Sequence, residues 1–339
     1  MSKVKVAVIG FGYWGPNIVR NFNSQLNCDV EYVVDSRDER LAIVNKNYPN
    51  TKTTKNLDDV IFNSNIDAII IATPVYTHYE IAKKALCNGK HVLIEKPMTS
   101  SVKEADELIN LSIKFNKVLM VDHTFLYTGA VQKISSIIKN DSIGKVKYID
   151  STRINLGLFQ PDVNVLWDLA PHDISIVNHI VDDKPYSVQA VGVCHTNNDI
   201  ENIAYLTLNY QSDMIAHFHS SWTSPVKIRK FLIGGEKKMI SWDDMEPTEK
   251  IKIYDTSYSH SSDEEKRKIL VDYRVGDIFV PKVPNKEALS ELAKDFLSSI
   301  LDGSEPISNY ISGINVIKVL EASQISIKNG GKEVKVNYS

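Results

Sequence analysis

Hydrophobic and polar positions follow two rhythms along this chain, and the rhythm changes near residue 123. In the first third, short apolar runs alternate with segments of helical period. The spacing predicts strands at 4–9, 29–34, 67–72, 91–94 and 118–121. It predicts helices at 17–22, 38–47, 76–88 and 102–115, with a weak one at 57–63. The run Ala68-Ile69-Ile70-Ile71-Ala72 is apolar on both faces, as a central parallel strand must be when helices cover both sides. Gly89 directly follows the 76–88 pattern and supplies a helix stop. Such alternation predicts a doubly wound sheet whose ligand lies beyond the strand C-termini.

After a helix at 130–139 the period shortens to two. Runs at 146–155, 186–194, 203–210, 214–222, 229–234 and 239–242 read as strands of a half-buried, largely antiparallel sheet. In one of them Ala204, Leu206, Leu208 and Tyr210 alternate with Tyr205, Thr207 and Asn209. Ser212-Asp213 and Gly234-Gly235-Glu236 read as hairpin turns. The charged, serine-rich segment 256–268 reads as an exposed loop, and helices at 286–301 and 312–328 close the chain. The predicted class is α/β: a parallel-sheet domain at 1–122, then an α+β domain with an open sheet at 123–339. The closing helix is able to pack back toward the first domain.

At 339 residues the chain is long enough for two such domains. Its formal charge of −3 and the lack of a long basic stripe exclude nucleic acid as a natural partner. Met1 runs almost directly into a strand, which leaves no room for a signal peptide. No apolar run approaches the roughly 18–20 residues of a membrane helix. Three cysteines, Cys28, Cys87 and Cys194, are far apart, which points to a reduced cytoplasmic setting without a structural metal. A cytoplasmic enzyme is the expectation.

Gly10-Phe11-Gly12-Tyr13-Trp14-Gly15 follows the first strand and opens the first helix. Three glycines there allow a tight turn, close approach to a pyrophosphate and close helix packing, the Rossmann arrangement. Asp35 ends the second strand, where a carboxylate accepts both hydroxyls of an adenosine ribose and repels a 2′-phosphate. NAD is therefore expected over NADP, although Arg37, beside Ser36, could hold a phosphate. The alternative is a plain strand–helix turn with Asp35 capping the next helix.

Two clusters carry candidate chemistry. Glu95-Lys96-Pro97 ends a sheet strand at the ligand edge, where a lysine can reach a substrate hydroxyl or a nicotinamide ribose. Trp167-Asp168-Leu169-Ala170-Pro171-His172-Asp173 opens a helix running to about residue 181. Asp168 and His172 are four apart and share a helix face. An imidazole beside a carboxylate can take a hydroxyl proton as hydride leaves the same carbon. The alternative makes Asp168 a helix cap and His172 a packing residue, with Asp173 aiding the first turn electrostatically. Arg153, Asn155 and Gln160 precede this motif as candidate substrate contacts. An arginine could bind a carboxylate or phosphate there, or be a strand-surface charge. His217 and His219 share a strand face and read as sheet residues, not metal ligands.

The glycine turn, Glu95-Lys96-Pro97 and the Asp168…His172 pair together resemble the Gfo/Idh/MocA family of oxidoreductases over nearly the whole chain. That resemblance implies Lys96 and His172 as the catalytic pair, with Asp168 contacting a sugar hydroxyl or orienting the site. It also implies a cofactor cleft lined by Gly10, Phe11, Gly12, Tyr13, Trp14, Gly15, Asp35, Ser36, Arg37, Thr73, Pro74, His78, Glu95 and Lys96. The segment from Asn164 to Asp173 lacks the commoner glycine stretch and looks like the nucleotide-sugar dehydrogenase branch, which oxidises a sugar C3 hydroxyl. A homodimer or homotetramer through the second-domain sheet is implied as well. Two other readings remain: an inositol or free-monosaccharide dehydrogenase, and a non-catalytic NAD-binding regulator.

Overall fold

Branched aliphatic residues build the first sheet. The computed structural model describes residues 3–157, 159–160, 162–196, 199–255, 257–259, 272–274 and 276–338, apart from the side chains of 257–259 and 272–274. β1 (Val4–Ile9) leads to α1 (Gly15–Asn23), β2 (Cys28–Val34), α2 (Asp38–Asn47), the short β3 (Lys52–Thr54) and α3 (Asp58–Ile61). β4 (Ala68–Ile71), α4 (His78–Cys87), β5 (His91–Glu95), α5 (Val102–Phe115) and β6 (Leu119–Asp122) follow. All six strands are parallel, in the order β3-β2-β1-β4-β5-β6. The chain direction across the sheet reverses between β1 and β4, so the crevice that binds ligands in such sheets lies beyond those two strand ends. Ala68 to Ile71 are wholly buried, as their two-sided apolar pattern requires.

The second unit starts with α6 (Gly129–Lys139), β7 (Val146–Leu156), α7 (Val165–Ile180), β8 (Pro185–Val193), β9 (Ile203–Tyr210) and β10 (Ile215–Ser221). It continues through β11 (Thr223–Gly235), β12 (Met239–Asp243), β13 (Ile251–Tyr254), β14 (Ser257–Ser259), β15 (Asp272–Arg274) and β16 (Ile278–Phe279). After α8 (Ala288–Asp302) and α9 (Tyr310–Lys328), β17 (Val334–Lys335) ends the described elements. Nine strands form one sheet in the order β16-β13-β12-β11-β7-β10-β9-β8-β17, antiparallel except for β7 beside β10. One face is buried through residues such as Ile149, Leu206 and Phe218. The other exposes Tyr148, Val191, Val193, Tyr205 and Ile215, with His217 and His219 among them and His219 stacked on Tyr205 at 4.5 Å. Among the described residues no helix is long and apolar enough to cross a membrane.

Asp213, at φ 60°, makes the expected turn between β9 and β10. The other expected turn is displaced: Gly234 and Gly235 belong to β11, and the chain reverses over residues 236–238. Glycine is required at 234 because a side chain there would strike the Tyr148 ring, 2.0 Å from the Cβ position. Of the expected loop 256–268, residues 256 and 260–268 lie outside the described residues, and the backbone of β14 pairs with β15.

The units also differ from a single cut at 122/123. Lys286–Lys318 belongs with the residues up to Thr128, and Val319 onward belongs with Gly129–Asn285. Side-chain chemistry explains the return. Phe296 of α8 meets Phe22 of α1 edge-on at 6.2 Å, and Tyr127 donates to Asp295 at 2.7 Å. Arg20 and Asn21 both donate to Glu287, and Ser308 N–H donates to the Tyr127 hydroxyl at 3.2 Å.

Candidate functional site

Each glycine of the first turn answers a different demand. Gly10 has φ 95°, and a Cβ there would lie 2.5 Å from the Ala72 carbonyl oxygen, so both conformation and space exclude a side chain. A Cβ on Gly15 would lie 2.4 Å from the Gly10 oxygen, so the helix start rests directly on the turn. At Gly12 the nearest atom would be Arg37 Nη2 at 3.8 Å, which leaves that backbone approachable. No side chain caps α1, and proline occupies its first turn, where a missing N–H costs nothing. This cradle fits a dinucleotide pyrophosphate on the helix N-terminus. Phe11 turns its ring into the core, whereas Tyr13 is 80% exposed and meets the partly exposed Trp14 edge-on at 5.7 Å.

Asp35 stands buried just past β2. Its carboxylate accepts from Phe11 N–H at 2.8 Å, from Arg37 N–H at 3.0 Å, and from Arg37 Nε and Nη2 at 2.9 Å each. Burial opposes its ionisation, but the guanidinium and the two backbone donors outweigh it and hold the pKa at about 2. The carboxylate expected to accept two ribose hydroxyls is thus engaged by Arg37. Ser36 beside it is exposed.

Beyond β4, Thr73 Oγ1 lies 2.6 Å from Thr77 Oγ1, and Thr77 donates to the Pro74 carbonyl at 2.7 Å. His78 is buried, with Nε2 2.8 Å from the Thr73 oxygen and Nδ1 3.0 Å from the Pro97 oxygen. It braces the ends of β4 and β5 against each other, and burial pushes its pKa down.

Glu95 and Asp122 pair in register at the ends of β5 and β6, and Lys96 follows in a cis peptide with Pro97. The positive charge of Lys96 reaches His78, Asp122 and His123. Burial pushes the Asp122 carboxyl up to about 6, against the opposing pull of Thr124 and Lys96. Burial and Lys96 together push the His123 imidazole down to about 3, and neither ring nitrogen has a hydrogen-bond partner among the described residues. Sequence reasoning passed over Asp122 and His123. The rule that singled out Glu95 and Lys96, position at the C-terminal end of a parallel strand, applies to them equally.

In the second unit, Asn164 caps α7 by accepting from Trp167 N–H at 3.1 Å. Asp168 is therefore not the cap, and its carboxylate accepts from the indole N–H of buried Trp222 at 2.9 Å. His172 lies one turn further along, half-buried, after Pro171. Asp173 points into the sheet: Ser151 donates to it at 2.9 Å and Arg153 Nε at 2.8 Å, with Arg153 and Asp173 both buried. Arg153 is thus spent on an internal ion pair and is not laid open as an anion contact; its aim follows from β7, where Ile149, Ser151 and Arg153 share the buried face. Asp173 is a strut, not an electrostatic aid to the first turn. Arg229 lies opposite Arg153 in register, half-buried, 3.7 Å from Asp244. Burial and then Arg153 push its pKa down. Asn155 is half-buried on β7, and Gln160 is half-buried between two positions outside the described residues. Among the described residues no three His, Cys, Asp or Glu side chains gather as a metal site.

A 3-2-1-4-5-6 parallel sheet with its glycine turn, in a chain that also carries an open mixed sheet, defines a nucleotide-binding Rossmann protein with a second α+β unit. Residues 4–123 match the family described as an oxidoreductase family with an NAD-binding Rossmann fold, and residues 131–241 match the GFO/IDH/MocA C-terminal domain. The chain belongs to the Gfo/Idh/MocA family of oxidoreductases. It is 30% identical over 216 residues to UDP-N-acetylglucosamine 3-dehydrogenase of Acidithiobacillus ferrooxidans, covering 62% of this chain and 64% of that one. The match therefore spans less than two thirds of that relative. It is 23% identical to 2,7-anhydro-N-acetylneuraminate hydratase of Escherichia coli over 98% of this chain and 97% of the other. The solved structure of the Acidithiobacillus ferrooxidans enzyme superimposes with a TM-score of 0.81 at 22% identity, over 97% of this chain and 99% of that one.

Proposed function

We propose that this protein is an NAD-dependent dehydrogenase that oxidises a secondary hydroxyl of a nucleotide sugar, at C3, to a ketone. The observation that carries the reading is the position of Lys96, which directly follows β5 on the same sheet edge as the Gly10–Gly15 turn after β1. The likeness to a UDP-N-acetylglucosamine 3-dehydrogenase supports the substrate class.

NAD, when bound, supplies the hydride acceptor. The Gly10–Gly15 turn would hold its pyrophosphate, with Gly12 the approachable position, and Thr73, Pro74, Glu95 and Lys96, at and just after the ends of β4 and β5, would help to line the cleft. Lys96 donates a hydrogen bond to the reacting oxygen and stabilises the negative charge that develops there. His172 takes the hydroxyl proton at an imidazole nitrogen, and returns it when the reaction runs backward. Asp168, held by Trp222, contacts the sugar or orients the imidazole. A homodimer or homotetramer forms through the open face around Tyr148, Tyr205 and Ile215, which light scattering on the purified protein would register.

The deciding assay incubates the protein with NAD and, separately, UDP-N-acetylglucosamine, its uronic acid, inositol and glucose, and follows NADH absorbance. NADH formation with a nucleotide sugar, lost in Lys96→Ala and His172→Ala, is expected. Unchanged turnover in both variants would remove the mechanism. The near full-length likeness to a hydratase favours a second reading, in which a sugar gains or loses water. Product detected by mass without net NADH would identify it.

A further inference from the structure

An ionised carboxylate offers two oxygens and about four lone-pair sites. In Asp35 four donors meet them, from Phe11 N–H, Arg37 N–H, Arg37 Nε and Arg37 Nη2. The charge that would repel a 2′-phosphate is therefore neutralised in a bidentate pair, the strongest form of carboxylate–guanidinium contact. The guanidinium belongs to the exposed member of the pair. The Arg37 side chain stays 45% exposed while that of Asp35 is 4% exposed, and Nη2 lies beside Gly12 on the cofactor loop. Nearby, Asp38 is paired with Lys55 at 2.7 Å, and Glu39 adds its negative charge to the field on Arg37.

We propose that Arg37 makes the adenosine end of the cofactor site tolerant of a ribose 2′-phosphate, so that the protein binds NADP(H) as well as NAD(H). The inference rests on the dinucleotide-binding reading above and adds to it the residue that sets cofactor choice. With NAD bound, Arg37 stays on Asp35 and the ribose hydroxyls meet a neutral pair. With NADP bound, the guanidinium contacts the phosphate through its remaining N–H groups while keeping Asp35 as its rear partner. Asp35 is then a positioning residue for Arg37, not a gate against phosphate.

Direct binding tests this without any sugar substrate. Protein freed of bound nucleotide is titrated with NADH and with NADPH, followed by fluorescence and calorimetry, for wild type and Arg37→Gln. Arg37 is exposed enough for Gln to be accommodated, and a melting curve checks that the variant is folded. We expect the two wild-type dissociation constants to agree within about tenfold, and Arg37→Gln to weaken NADPH at least about tenfold more than it weakens NADH. NADPH binding more than about tenfold weaker than NADH in the wild type would overturn the inference and leave the NAD site intact. Equal weakening of both ligands in Arg37→Gln would overturn it too. If neither nucleotide binds, the dinucleotide-binding reading itself fails, and this inference with it.

Discussion

Trp222 donates its indole N–H to Asp168 at 2.9 Å, joining the last residue before β11 to the first turn of α7. A charged acceptor held by a buried donor cannot swing freely, so the carboxylate one turn ahead of His172 has a fixed direction. A bond of this kind contributes about 1.5–3 kcal/mol. Trp222→Phe keeps most of the packing against Phe159 and removes the donor. We expect kcat to fall about 10- to 100-fold with KM changed little, measured on the sugar the assays identify. An unchanged kcat would mean that Asp168 takes its direction from elsewhere.

The Arg153–Asp173 pair is a stability feature. Removing Arg153 leaves buried Asp173 with the Ser151 hydroxyl and the charge of Arg229, a weaker set of partners, at a cost of up to about 3–5 kcal/mol. Arg153→Met is therefore expected to shift urea unfolding sharply downward. The double change Arg153→Met with Asp173→Leu is expected to recover most of the loss. If the double variant is as unstable as the single one, the cost lies in packing and not in charge.

Gly10 and Gly12 are expected to fail differently. Gly10→Ala forces a side chain into a left-handed conformation and against the Ala72 oxygen, so it lowers the melting temperature. Gly12→Ala meets only an ordinary contact with Arg37 and keeps the melting temperature, yet it weakens NADH binding because the new methyl stands where the pyrophosphate approaches. Thermal melts and NADH titrations of the two variants separate fold from cofactor binding.

Stability is expected to fall as the solution is acidified. Burial and then Lys117 push His91 down to about 4, and burial and then Lys96 push His123 down to about 3, from an ordinary value of 6.5. Both stay neutral in the folded chain while the unfolded chain takes up protons, so stability present above about pH 6.5 drains away as pH falls toward 4. Asp35, held at about 2 against an ordinary 3.8, stabilises above about pH 4 and loses that contribution as pH falls further. Asp122, pushed by burial up to about 6 from an ordinary 3.8, works the other way and gains stability as pH falls from 6 toward 4, offsetting one imidazole. Urea unfolding at steps from pH 7 to 4 is expected to show a net decline, flattened in His123→Asn. A flat wild-type profile over that span would contradict the low pKa values of both imidazoles.

The parts of this fold that were legible in the sequence are those written in local patterns. β1 occupies 4–9 as its apolar run predicts, and the glycine turn falls where strand meets helix. Position at a strand end was equally readable, and it marks Asp122 and His123 as plainly as Lys96. Pairings between distant residues were not readable. Nothing in the spacing of Arg153 and Asp173 says that they meet, because the meeting depends on which face of β7 is covered by α7. Gly234 looked like a turn residue because glycine has two uses, and only the Tyr148 ring beside it shows which one applies. β16 and β17 contain two residues each, too few for any periodicity.

The return of Lys286–Lys318 to the amino-terminal sheet unit has a consequence for how the protein is made. A nascent chain that has emerged only as far as Thr128 has all six parallel strands but not Phe296, which covers Phe22, nor Glu287, which secures Arg20 and Asn21. That half-grown chain carries an uncovered greasy flank until Lys286–Lys318 has been made. The nucleotide-binding unit, begun first, is thus completed only after residues 129–285 of the other unit have been made.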